Sequence, residues 1–310
     1  MIFLINNRIT LLNIAVLFLL LACQKTEETI VPEPEIEIET ETETETETET
    51  ETETETNVLS EVLLNATGEG KTYELINSVF APGYDVVEAP DCSHESFGRH
   101  IDEVFDADLN KNVFRFHIHA TPDNDRCKNF DRQRNEIKSY DKSPDELKGL
   151  QNEKVEYSWK FKISSDFQSS KKFTHIHQIK AVGGSEDAMP LITLTTREGS
   201  PDKLELRYSE TTSQITLKEV DLTPFKGNWV EVVETVVYGE KNTGSYKIEL
   251  KDFKTNTLLF NYSNDNIRMW KANADFMRPK WGIYRSLVYA DSFKDEQVLF
   301  ADFSIKELKL

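Results

Sequence analysis

Three short stretches carry more polar side chains than a solvated strand needs. They read DRQRNEIKSY (131–140), THIHQIK (174–180) and RPKWGIYRS (278–286). Period-two alternation puts Arg132, Arg134, Glu136 and Lys138 on one face of the first. In the third, Arg278, Lys280, Gly282, Tyr284 and Ser286 share a face, with Trp281 and Ile283 opposite. The middle stretch holds two of the chain's six histidines. It reads as a polar strand, a metal site or the floor of an active site. Alternation sets His175 and His177 on one face, Gln178 and Lys180 on the other. One regular strand cannot present all four inward, although a bulge would relax that. Histidine suits proton transfer near neutral pH. Histidines at i and i+2 could also bind zinc, with His117 and His119 as a second pair. No cysteine or carboxylate spacing supports a catalytic metal site, and none is expected. Taken singly, an Arg-x-Glu on a strand is usually a surface ion pair, and a Lys-x-Gly-x-Tyr is usually structural.

The elements that must position these residues are strands. VFRFHIHA (113–120) places Val113, Arg115, His117 and His119 on one face and Phe114, Phe116 and Ile118 on the other. VEYSWKFKI (155–163) alternates Val155, Tyr157, Trp159, Phe161 and Ile163 against polar residues. PLITLTT, KLELRYS, WVEVVETVVY, SYKIELKDF and LLFNYS follow, with turn signals between them. EKNTGS and DADLNKN read as hairpin loops. The latter fails as an EF-hand, since its sixth position is Lys111 and its twelfth His117. Helical periodicity is scarce, with SPDELKGL as one short turn. Many strands at regular spacing predict an all-β fold, a two-sheet sandwich or jelly roll with a polar groove on one sheet.

RNEIK resembles the Arg-x-Glu-Leu strand of jelly-roll polysaccharide lyases. HQIKAVGG resembles their Gln-Ile-His strand, and KWGIYRS their Lys-x-Gly-x-Tyr strand. The three occur in the family's order. HESFGRH, DRQRNEIK and RPKWGIYRSL are also similar to the secreted ulvan lyases of marine bacteria. The resemblance implies β-elimination on a uronic-acid polysaccharide, an anionic substrate. Such chemistry needs the uronate carboxylate neutralised, a base for the C5 proton and an acid for the C4 leaving oxygen. Tyr284 is the candidate proton carrier, its pKa expected to fall beside Lys280 or an arginine. Arg134 is the candidate carboxylate fork, and Glu136 would orient Arg134 or a sugar hydroxyl. The middle motif departs from the family, because Lys180 stands where the family has histidine. Either Gln178 and Lys180 face the groove, or His175 and His177 do, so His177 stays a catalytic candidate. No cofactor is required, and a structural calcium remains open.

The two ends and the composition bound the rest. Arg8 precedes an apolar run, LLNIAVLFLLLAC, too short to span a membrane and read as a secretory leader over 1–22. LLAC resembles the lipobox of bacterial lipoproteins, implying a lipid on Cys23 and an outer-membrane anchor, and QKTEE resembles the surface-export signal of some such lipoproteins. Residues 23–56 then form a Glu/Thr tether that cannot bury apolar surface. Residues 24–56 carry a net charge of −13; removing this and Arg8 from the chain's −19 leaves about −7 for 57–310. That mild acidity argues against nucleic acid as a partner. Residues 57–310 are read as one domain and a monomer. Cys92 and Cys127 are the one cysteine pair left in an exported chain, so a disulfide is expected. Its stabilisation on the chain-entropy model is roughly 3 to 4 kcal/mol. Two other functions compete. A glycan-binding protein would use the groove without catalysis. A jelly-roll glycoside hydrolase would need paired carboxylates, but no Glu-x-Asp-x-x-Glu strand occurs in the domain.

Overall fold

The computed structural model describes residues 57–310; the leader, Cys23 and the tether lie outside them. The chain runs β1 (Val58–Leu64), α1 (Thr72–Phe80), β2 (Val87–Glu88), β3 (Ile101–Asp106), β4 (Lys111–Ile118) and β5 (Arg132–Lys138). It continues through β6 (Lys154–Ile163), β7 (Thr174–Val182), β8 (Ile192–Arg197), β9 (Lys203–Tyr208) and β10 (Ile215–Asp221). The last strands are β11 (Val230–Val237), β12 (Ser245–Asp252), β13 (Leu258–Asn264), β14 (Phe276–Ser286) and β15 (Glu296–Leu308).

These strands form two antiparallel sheets. One has the order β13-β12-β11-β6-β15-β4-β3, with β1 added on β15; the other is β10-β9-β8-β7-β14-β5-β2. Alternation is why they stack. In β6, Val155, Tyr157, Trp159, Phe161 and Ile163 are buried while the residues between them are half-buried. This face meets Trp281 of β14, whose ring lies 5.8 Å from Trp159 and 5.1 Å from Phe303. Each such ring removes about 150–250 Å² from water, on the order of 4–6 kcal/mol at about 25 cal/mol per Å². This inter-sheet layer therefore dominates the fold. The jelly-roll sandwich expected from the strand pattern is the architecture found.

The hairpins at DADLNKN and EKNTGS fall between β3 and β4 and between β11 and β12, and SPDELKGL contains a short helical turn at Asp145–Leu147. Strands β1, β2, β3, β10 and β15 and one helix escaped the pattern. In α1, Thr72, Ile76 and Phe80 recur every four residues on one buried face, and the Phe80 ring reaches within 6.1 Å of Trp281. The topology sets the three polar strands side by side, β7-β14-β5, in the middle of one sheet.

Candidate active site

On β14, Tyr284 lies opposite Arg134 of β5 and His175 of β7. Gly282 lies opposite Glu136, and Lys280 lies between Gln178 and Lys138. The side chains of Tyr284, Arg134, His175, Lys280 and Gln178 line a cavity of about 370 Å³ together with Glu88, Arg126, Arg132, Phe173, Arg197 and Arg278.

Strand β7 is not regular. Its pairing with β8 skips one residue between His175 and His177, and its pairing with β14 shifts between Trp281 and Tyr284. The bulge at Ile176 resets the alternation. His175, Gln178 and Lys180 therefore share the groove, while Ile176 and Ile179 enter the core. The expectation that the two histidines stand or fall together is corrected. His177 is fully buried on the far side of the sheet, 4.4 Å from the Trp159 ring, and its Nε2 lies 2.9 Å from Glu234 Oε2. Tyr246 donates to the other oxygen of that carboxylate at 2.6 Å. His177 belongs to a polar trio in the core, so it does not reach substrate.

Gly282 explains the glycine of the third motif. Its φ is +148°, and a Cβ there would collide with the carbonyl oxygen of Asn135. Only glycine allows β14 to pass this close to β5.

Glu88 and Glu136 are direct neighbours across β2 and β5. Two like charges so placed need cations between them. Lys280 supplies one, with Nζ 2.5 Å from Glu88 and 2.8 Å from Glu136. Arg134 supplies another, donating to Glu136 at 2.5 Å and to Asp125 at 3.0 Å. Arg126 and Lys138 complete the cluster around Glu88, at 2.6 and 2.7 Å. Burial opposes the charge on Glu88, but Lys280, Lys138, Arg134 and Arg126 outweigh it and hold the carboxyl far below its usual range. Glu136 is likewise held low, with burial overcome by Lys280 and Arg134. It also accepts a hydrogen bond from Gln178.

The Tyr284 hydroxyl accepts a hydrogen bond of 2.8 Å from Arg132, and the Arg134 guanidinium lies 3.8 Å from the centre of its ring. The expected fall in its pKa is corrected: burial pushes it up, and Arg134 and Arg132 only partly counter that. The phenol therefore holds its proton at neutral pH. Beside it, the His175 ring stacks on Phe173 at 4.7 Å and lies 5.7 Å from the Tyr284 ring. Burial pushes the His175 imidazolium down to about 3, so the ring is neutral. Its Nδ1 makes no hydrogen bond among the described residues. Burial, followed by Lys280, lowers Lys180 to about 8. Arg278 makes no ion pair among the described residues, and its Nε is buried without a partner.

The structure thus gathers Tyr284, Arg134, Lys180, Gln178, Lys280, Glu136 and His175. Sequence reasoning missed Glu88, whose two-residue strand carries no alternation to read. It also missed Arg126 and Arg197, which reach the groove from a loop and from the end of β8. Cys92 and Cys127 are bonded, with Cα atoms 6.3 Å apart.

A two-sheet antiparallel sandwich with a cation-lined groove on one sheet is the build of jelly-roll enzymes that act on anionic polysaccharides. The chain belongs to the polysaccharide lyase family, whose sequence pattern matches residues 106–304. Alginate lyase Aly36B shares its fold with a TM-score of 0.53 at 13% identity, covering 82% of this chain and 99% of that one. The marine PL-14 alginate lyase from Aplysia kurodai does so with a TM-score of 0.52 at 12% identity, covering 80% and 98%. The endo-β-1,4-glucuronan lyase from the fungus Trichoderma reesei is similar at 18% identity and a TM-score of 0.49, covering 66% and 86%. No curated protein matches the chain in sequence.

Proposed function

We propose that the protein cleaves a uronic-acid polysaccharide, with ulvan as the favoured substrate, by β-elimination at the C4–O bond. One observation carries this reading: a protonated phenol, Tyr284, beside a neutral, unpartnered imidazole, His175, in a groove lined by seven cations and one carboxylate. Arg278 and Lys180 carry charge that the protein does not fully pair, so they neutralise the uronate carboxylate. That lowers the cost of the enolate-like state formed as the C5–H bond breaks. Arg134 differs from its expected role. With Glu88, Asp125 and Glu136 all drawing on it, it holds the Tyr284 ring in place and adds positive potential behind it.

The proton at C5 passes to His175. The C–H electrons become the C4=C5 double bond, and the C4–O bond breaks. Tyr284 gives its proton to the departing oxygen, with Arg132 stabilising the phenolate left behind. His175 then returns a proton to Tyr284, so no water is consumed. Arg278 and Lys180 suit any uronate polyanion, and ulvan is favoured among these by the resemblance of HESFGRH, DRQRNEIK and RPKWGIYRSL to ulvan lyases. The Cys23 lipid and the Glu/Thr tether are part of the same proposal, holding the enzyme at the outer surface of the cell.

The test is incubation with ulvan, glucuronan, alginate and a heparin-like chain while following ultraviolet absorbance. Elimination leaves a conjugated, absorbing uronate; hydrolysis and simple binding leave none. Binding without any rise in absorbance on all four polymers would reduce the protein to a glycan-binding module.

A further inference from the structure

The β4–β5 connection and the β2–β3 connection both cross between the sheets, and they meet around a group that the lyase chemistry does not use. His94 and His100 come from the first-met crossover, residues 89–100, and His119 and Asp123 from the other, residues 119–131. Their ligand-type atoms all lie within 4.8 Å of one another. His94 Nδ1 is 3.2 Å from Asp123 Oδ1 and 3.3 Å from His119 Nδ1. His100 Nε2 is 3.3 Å from Asp123 Oδ1, and His119 Nδ1 is 3.1 Å from Asp123 Oδ2.

These separations have a metal's signature. Zinc binds imidazole nitrogen at about 2.0–2.1 Å, so the edge of its tetrahedron is about 3.3 Å. Hydrogen bonding alone fits the cluster poorly. His94 Nδ1 and His119 Nδ1 face each other, and both face the same carboxylate. If both donate to Asp123, two N–H groups oppose each other; if one donates to the other, a nitrogen loses its carboxylate bond. A cation between them lets both present lone pairs.

The surroundings orient the ligands as a metal site requires. His100 Nδ1, the nitrogen turned away from the cluster, lies 2.8 Å from Asp91 Oδ1, and Tyr73 donates to the same carboxylate. Such a carboxylate behind a histidine fixes the tautomer that leaves Nε2 free for metal. Asp123 Oδ2 also accepts from the His119 backbone N–H at 2.7 Å. The His100 and Asp123 side chains are fully buried, and those of His94 and His119 are only 20% and 14% exposed. His117, paired with His119 by sequence spacing, turns instead to Asp102, 3.0 Å from its Nε2.

We infer that His94, His100, His119 and Asp123 form a structural zinc site clamping the two crossovers together. Four protein ligands fill the tetrahedron, which is the mark of a structural rather than a catalytic site. The site does not depend on the proposed substrate.

The test starts from the purified protein, prepared without chelators. Elemental analysis should give about one zinc per chain. Stripping with a strong chelator should lower the melting temperature by about 5 °C or more, restored by zinc. Cobalt loaded into the stripped protein should show the intense visible bands of a tetrahedral ion. His94→Gln and Asp123→Asn should each weaken zinc in a competition titration by 100-fold or more, while His117→Ala should leave it unchanged. A stripped wild-type protein that binds no stoichiometric zinc in that titration overturns the proposal, and needs no variant to fold. So does tight zinc binding that survives His94→Gln together with His119→Gln.

Discussion

At the scale of single residues, the groove separates charge that holds the protein together from charge free to meet substrate. Tyr284→Phe keeps the ring under Arg134 and removes only the hydroxyl bonded by Arg132. Stability should change by about 1 kcal/mol, while turnover should fall by roughly 100-fold or more. Near-normal elimination by this variant would remove Tyr284 from the chemistry. Arg134→Ala is a less clean probe, since it strands Glu136 and Asp125 and should cost about 3–5 kcal/mol of stability, read in a denaturant melt. Lys180 gives a sign to the pH dependence. With a pKa near 8 in the free enzyme, it is charged below that pH and neutral above. The affinity it contributes for a polyanion is therefore present below pH 8 and fades as pH rises through it, because binding must then take up a proton. KM should climb above pH 8 in the parent and stay flatter in Lys180→Met. His175, neutral down to about pH 3, should add no acid limb to the rate between pH 5 and 8.

At the scale of elements, one inserted residue decides which side chains work. Most strands could be read directly, because one buried face forces alternation and alternation is visible in residues such as Val155 to Ile163. The three polar strands could be found for the same reason, together with Tyr284, Arg134, Gln178 and Lys180. The bulge at Ile176 could not. Isoleucine suits a bulge no better than a regular position, and parity is lost only because β8 and β14 pair around it. Hence His177 looked as eligible as His175. Helix α1 was hidden because nine residues offer only about two and a half turns of period, and Glu88 because its contacts to Arg134, Lys138 and Lys280 span 46 to 192 residues of sequence. Gly282 carries the matching feature on β14. Gly282→Ala would need φ near +148° and would drive a methyl into the Asn135 carbonyl. The expected cost is about 2–4 kcal/mol, seen as a lower melting temperature, with turnover reduced further as Tyr284 shifts.

At the scale of the whole molecule, strand pairing ties the start of the described residues to their end. β1 begins at Val58, opposite Leu308 of β15, and runs along that strand to Leu64 opposite Phe303. A chain beginning at Asn57 should keep both its melting temperature and its turnover. One beginning at Asn65 would leave the β15 edge bare and should lose several degrees or aggregate. Peptide mapping without reductant should recover Cys92 and Cys127 as one linked pair. Two freely alkylated thiols would contradict the structure.

That same pairing brings the two ends of the domain within a hydrogen bond: the Lys309 amide donates to the Asn57 carbonyl at 2.8 Å. The domain is therefore topologically almost a ring, cut at one point. A peptide link of a few residues between Leu310 and Asn57 would close it without moving a strand. On the chain-entropy model, closing a loop of this length takes about 5 kcal/mol of freedom from the unfolded chain. The closed ring could then be reopened in the turn between β12 and β13, giving a circular permutant with the same groove and new ends on the opposite sheet.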